Sequence, residues 1–174
     1  MAIIFSSGTQ SAPTKILQVV KLDYSAPYTS GSSMGSGYTD MSGWSKAITT
    51  LAADSKILIN INFGHWHGDT NGYGIAVKRN GTLIGVGDAN GSRDRASFRT
   101  THLNFDGNHS TGMQAWSFLD EPSQPAGTTL TYQLAGKTEG SFNFYINRTS
   151  NYTDNSNVYN GTFYSSIILT EVSA

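Results

Sequence analysis

Hydrophobic residues in this chain recur at every second position. In the segment KILININF, 56–63, Ile57, Ile59, Ile61 and Phe63 fall on one side, and Leu58, Asn60 and Asn62 on the other. Alternate side chains of a strand point to opposite faces, so this is a strand with one buried face. TLTYQLAG, 129–136, repeats the pattern with Leu130, Tyr132 and Leu134. SFNFYINR, 141–148, does so with Phe142, Phe144 and Ile146. ILQVVKLDY, 16–24, and YSSIILTEV, 164–172, read as strands at either end. In GIAVKRNGTLIGVG, 74–87, two apolar runs meet at Asn80-Gly81, a strong hairpin signal. The segment around Trp44–Ala53 is the only helical candidate, and Thr49-Thr50 weakens it.

Loops rich in Gly, Ser, Asn, Asp and Pro separate these runs, at 27–37, 68–72, 88–92, 104–112, 120–127 and 149–161. The expectation is all-β: an antiparallel two-sheet jelly-roll sandwich of about 8–10 strands. Residues 15–174 form one domain, and residues 1–14 a short arm that orders only against something else.

Composition narrows the function. Only 13% of residues are charged, against about a quarter in an ordinary soluble protein. Ser, Thr, Asn and Gly supply the polar surface instead, as in extracellular or virion β proteins. The net charge of −1 offers no patch to neutralise phosphates, so nucleic acid is not an expected partner. The absence of cysteine excludes disulfides and thiolate-held metal clusters. No apolar run is long enough for a membrane helix or a signal-peptide core, so neither membrane insertion nor secretion is expected. Six Asn-x-Ser/Thr triplets, at Asn80, Asn90, Asn108, Asn147, Asn151 and Asn160, are then chance products of an Asn-, Ser- and Thr-rich chain.

The strings ILQVVKLDYS, SKILINI, VKRNGTLIGVGDANGSRDRASF, SFLDEPSQPAGTTLTYQL, FYINR and YSSIILTEVSA together resemble a phage tail-fibre or virion-tip domain. In that family a KVLQVV strand, an SSKILI strand, an RNGT…IG hairpin, an FLDSP turn before a TTYK strand and an SSITLTEI ending follow in this order. The resemblance runs from residue 15 to the end. It implies a homotrimeric jelly roll of the C1q and tumour-necrosis-factor type, built into virions and adhering to a host-surface glycan. A capsid-decoration or head-fibre protein without a receptor is the alternative. On this reading the arm anchors the domain to other virion proteins, and some of the eight Phe, nine Tyr and three Trp fill the interface between protomers. The implied location is the virion, after synthesis in the bacterial cytoplasm. No catalytic residues are implied.

Two loops fit no family pattern: FGHWHGDTNGYG, 63–74, and NRTSNYTDNSNVYNG, 147–161. They supply the candidate binding residues Trp66, His65, His67, Tyr73, Tyr152 and Tyr159. On an unbroken strand His65 and His67 share the inward side with Phe63, and Trp66 faces out. Trp66 is therefore the expected exposed contact, since sugar C–H faces stack on aromatic rings. Two imidazoles fall short of the four ligands of a closed metal site; three copies on an axis would supply six. The simpler reading is a pair of polar residues at a strand end, and no metal or cofactor is expected.

Asp88-x-Asn90-Gly91 and Asp154-Asn155-x-Asn157 lack the spacing of a calcium loop and read as turns. Arg93, Asp94, Arg95 and Arg99 could form ion pairs between protomers. No G-x-S-x-G elbow, P-loop or HExxH motif occurs. Asp120 and Glu121 are adjacent, so on a strand they point apart and cannot flank one glycosidic bond. An enzyme is not expected.

Overall fold

The computed structural model describes residues 14–31, 34, 37–68, 73–100, 112–138, 143–149, 153–156 and 160–174. Within them the chain forms eleven strands: β1 (Ile16–Tyr24), β2 (Tyr28–Thr29), β3 (Thr39–Thr49), β4 (Lys56–Gly68), β5 (Tyr73–Arg79), β6 (Thr82–Ile84), β7 (Phe98–Thr100), β8 (Gly112–Asp120), β9 (Thr129–Thr138), β10 (Phe144–Ile146) and β11 (Ser165–Val172). All pairings are antiparallel.

Three pairs of strands are single columns interrupted by a loop. β1 and β2 run along β11 and β10 in turn, while β11 and β10 run successively along β4. β6 and β7 likewise share one side of β5. Counted this way, each sheet has four columns. One is ordered β1/β2, β10/β11, β4, β8; the other β3, β9, β5, β6/β7. Except within the β5–β6 hairpin, each successive column changes sheet. That is the jelly-roll order, and the expected fold class holds at the level of one protomer.

The alternation read from the sequence places the core. Ile57, Ile59, Ile61 and Phe63 of β4, and Leu130, Tyr132 and Leu134 of β9, are buried between the sheets. Phe144 and Ile146 join them, while Phe142 lies outside the described residues. Asn80 and Gly81 both adopt positive φ, 48° and 85°, as a two-residue hairpin turn requires. The Asn80 Oδ1 also accepts the Thr131 N–H at 2.8 Å. The second hairpin strand ends at Ile84, because Gly85 turns the chain away with φ 55°.

One expectation is overturned. The segment 44–49 belongs to strand β3, not to a helix. A bulge between Asp40 and Ser45, with Gly43 at φ 82°, inserts extra residues opposite β9. The buried residues of β3 become Met41, Trp44 and Ile48, whose spacing imitates a helix. Strand β8 was not singled out from the sequence, although Trp116 and Phe118 pack inward from it.

Buried polar groups hold the sandwich together at one end. Glu171 of β11 is wholly buried. It accepts hydrogen bonds from Ser55 Oγ (2.6 Å), the Leu51 N–H (2.8 Å), the Ala52 N–H (3.3 Å) and Gln18 Nε2 (2.6 Å). Burial alone would raise its pKa, but these donors together hold the carboxyl below its ordinary value. Asp120 of β8 meets Arg79 Nη1 at 2.7 and 2.9 Å and accepts the Tyr132 hydroxyl at 2.7 Å, linking the two sheets. Burial, then this bond to Asp120, pushes the Tyr132 pKa up. Glu121 instead pairs with Lys56 at 2.7 Å, so the two adjacent acids do point apart.

Candidate functional site

FGHWHG occupies the end of β4, where a bulge resets the faces. Phe63 lies opposite Gln114 of β8, but Trp66 lies opposite Gly112, so β4 carries one residue more than its partner. A single inserted residue flips every following side chain to the other face. Trp66 pairs with the buried Ile146 of β10 and shares its inward side. Its indole packs edge-on against Phe63, Phe98 and Phe144, with centroids at 5.6, 5.7 and 6.1 Å. Trp66 is therefore a core residue, only 4% exposed, and not the surface contact expected of it.

His65 is buried in a different way. It stacks on Phe163 at 4.8 Å, in the segment that leaves the sheet between β10 and β11. An imidazole covered within its own protomer is not on offer to a neighbouring copy, which removes it from an axial metal set. Tyr73, at the start of β5, is also fully buried, edge-on to Phe144 at 6.0 Å. It too is corrected from contact residue to core. His67 occupies the β4 position opposite Tyr145. Tyr152 and Tyr159 lie outside the described residues. No group of three metal-ligating side chains occurs among the described residues.

Asn147 organises this end, a role the sequence did not signal. It sits at φ 61° and is wholly buried. Its side-chain amide donates to the Tyr24 carbonyl at 2.7 Å and accepts the Ser165 hydroxyl at 2.6 Å. Its backbone N–H donates to the His65 carbonyl at 3.2 Å, and its carbonyl accepts the Phe163 N–H at 3.3 Å. One residue, through its side chain and its backbone, thus joins the end of β1, the break between β10 and β11, and the HWH segment. Gly64 completes the junction, because a Cβ there would run into the Tyr164 carbonyl.

The accessible polar site lies elsewhere, on the outer face of the β3-β9-β5-β6/β7 sheet. Tyr73, Ile75 and Val77 face the core, so Gly74 faces out. Gly74 is paired with Lys137 of β9 on one side and Arg99 of β7 on the other, which sets both cations in one row. Between them the glycine leaves a gap, and the Tyr38 hydroxyl fills its floor. An ideal Cβ on Gly74 would stand 2.6 Å from that oxygen. The Tyr38 backbone is held by Lys78, whose ammonium donates to the Tyr38 carbonyl at 3.1 Å and pairs with Asp40 at 2.6 Å. Asp94, from the loop between β6 and β7, crosses over to Lys137 at 2.6 Å. The resulting cavity has a volume of about 680 Å³.

The charges of this cavity are unbalanced. Lys137 is matched by Asp94. Arg93 donates only to the neutral Asn90, and Arg99 has no carboxylate partner among the described residues. Burial, then the Asp94 charge, raises the Tyr38 pKa, so its hydroxyl keeps its proton near neutrality and can donate. Sequence reading had marked Arg93, Asp94 and Arg99, but only as ion pairs between protomers. No known protein family and no curated protein matches this chain.

Proposed function

We propose that this chain is a non-enzymatic phage virion protein, a homotrimeric tail-fibre or tip module that adheres to a glycan of the host surface. The resemblance in the order of its strand motifs suggests this reading, and the jelly-roll order supports it. The observation that carries it is the outer face of the β1/β2, β10/β11, β4, β8 sheet. Val19, Thr170, Leu58 and Leu119 lie in one row across four strands. The next rows are Lys21, Ile168, Asn60 and Ser117, then Asp23, Ser166, Asn62 and Ala115.

Beyond β1 these rows carry no charge. Exposed Met113 (85%) and Leu119 (44%) mark the free edge at β8, and Val19 (56%) the opposite side. A face uncharged beyond β1 and bordered by apolar residues suits burial against identical copies. Three copies would present three equal glycan sites, so that weak sites act together.

Light scattering after gel filtration tests the assembly. A trimer has a mass close to 56 kDa, three times 18.7 kDa. A monomer would overturn the fibre-tip reading. Binding of the purified protein to a panel of bacterial cells tests adhesion. A trimer that binds none of them would favour capsid decoration, which the same fold and face also suit.

A further inference from the structure

We propose that the cavity over Gly74 binds an acidic saccharide, with its carboxylate held between Arg99 and Arg93. The word saccharide rests on the adhesion reading above; the anion site rests on the cavity alone. The geometry has three parts.

First, pairing fixes the donors. Arg99 and Lys137 flank Gly74 on adjacent strands, so the sheet itself sets their separation. Arg99 has no acidic partner among the described residues, and a guanidinium matches a carboxylate through two parallel hydrogen bonds. Second, the missing side chain makes the room. Any larger residue at position 74 would displace the Tyr38 hydroxyl from the floor. Third, one acceptor stands among the donors. Asp94 keeps a carboxylate in the cavity while bound to Lys137, and Lys137 partly neutralises it.

The arginine donors together with the Asp94 carboxylate suit a ligand that carries both an acid group and hydroxyls. A phosphate dianion would meet Asp94 with twice the charge of a carboxylate. The volume of about 680 Å³ lies within the range of small-molecule sites, about 300–1,000 Å³.

The test is saturation-transfer NMR on the full chain, observing glucuronate, glucose and glucose 6-phosphate in turn, with inorganic phosphate, which has no non-exchanging protons, added as a competitor of glucuronate. Glucuronate should bind, and glucose should bind about tenfold more weakly, as expected for loss of one charge-assisted pair. Arg99→Gln should weaken glucuronate by about tenfold without moving the melting temperature, because Arg99 makes no ion pair with a described residue. Gly74→Ala should abolish binding through Tyr38. Equal binding of glucose and glucuronate, or an Arg99→Gln protein that binds glucuronate normally, would overturn the proposal. Tighter binding of phosphate or glucose 6-phosphate would reassign the site to phosphate and overturn it equally.

Cell binding by the same variants separates the two readings. If glucuronate does not bind but the protein still adheres to cells, this site fails and adhesion stands. If glucuronate binds and no cells are bound, the site stands and adhesion fails.

Discussion

Replacing Glu171 should cost more stability than any other single polar substitution at its end of the sandwich, and the loss should depend on pH. The carboxylate is wholly buried and accepts four hydrogen bonds that tie β1, the turn after β3, and β11. In Glu171→Ala, the exposed Leu51 and half-buried Ala52 amides can turn to water. Ser55, only 1% exposed, is left with the Ala52 carbonyl at 3.1 Å, and Gln18 loses its charged partner. Hydrogen bonds to charged groups contribute roughly 1.5–3 kcal/mol each, and these share one carboxylate. The expected loss is about 3–5 kcal/mol.

Glu171→Gln keeps one oxygen for Ser55 and Leu51 but turns an amide toward Gln18. Flipping Gln18 would bring its own oxygen against the Thr49 carbonyl, which its Nε2 now contacts at 2.6 Å. One conflict is unavoidable, so about 1.5–3 kcal/mol should be lost. The folded pKa of Glu171 lies below its ordinary value of 4.5. Its contribution is therefore full above the unfolded pKa and disappears as pH falls through the lower folded value. Urea unfolding of wild type and Glu171→Gln, at equal protomer concentration and at steps from neutral to acid pH, measures this gap. A Gln variant as stable as wild type at neutral pH, or a gap that does not narrow toward acid, would refute the reasoning.

Other substitutions probe the corrected site and the proposed assembly. Trp66→Ala should lower stability by about 3–5 kcal/mol in thermal or urea unfolding, as expected for a large core aromatic; an unchanged melting temperature would return Trp66 to the surface. Gly64→Ala should also destabilise, since the new methyl meets the Tyr164 carbonyl and the backbone of β4 or of the returning segment must shift. Circular dichroism melts would detect this, and an unaltered melt would show that the junction yields freely. Leu119→Glu, at an exposed position, should leave the protomer folded but reduce the solution mass from trimer toward monomer. A trimer that tolerates it would place the interface elsewhere.

The sequence alone determined the parts of this protein that depend on neighbours in the chain. The alternation of Ile57, Ile59, Ile61 and Phe63, and of Leu130, Tyr132 and Leu134, named the buried faces of β4 and β9 correctly. Asn80-Gly81 named its turn, because only residues tolerant of positive φ fit there. The same reasoning failed at the bulges of β3 and β4. A bulge is defined by what lies opposite, and the partner strand is remote in sequence: β8 for Trp66, β9 for Trp44. Hence Trp66 looked exposed, and the stretch that begins at Trp44 looked helical. The accessible cavity was hidden for a related reason. Gly74, Arg99, Lys137 and Tyr38 come from four separate stretches of chain and become neighbours only through strand pairing and the fold of Tyr38 over the sheet. Period and turn chemistry are local and survive in the sequence; register and enclosure arise only when distant segments meet.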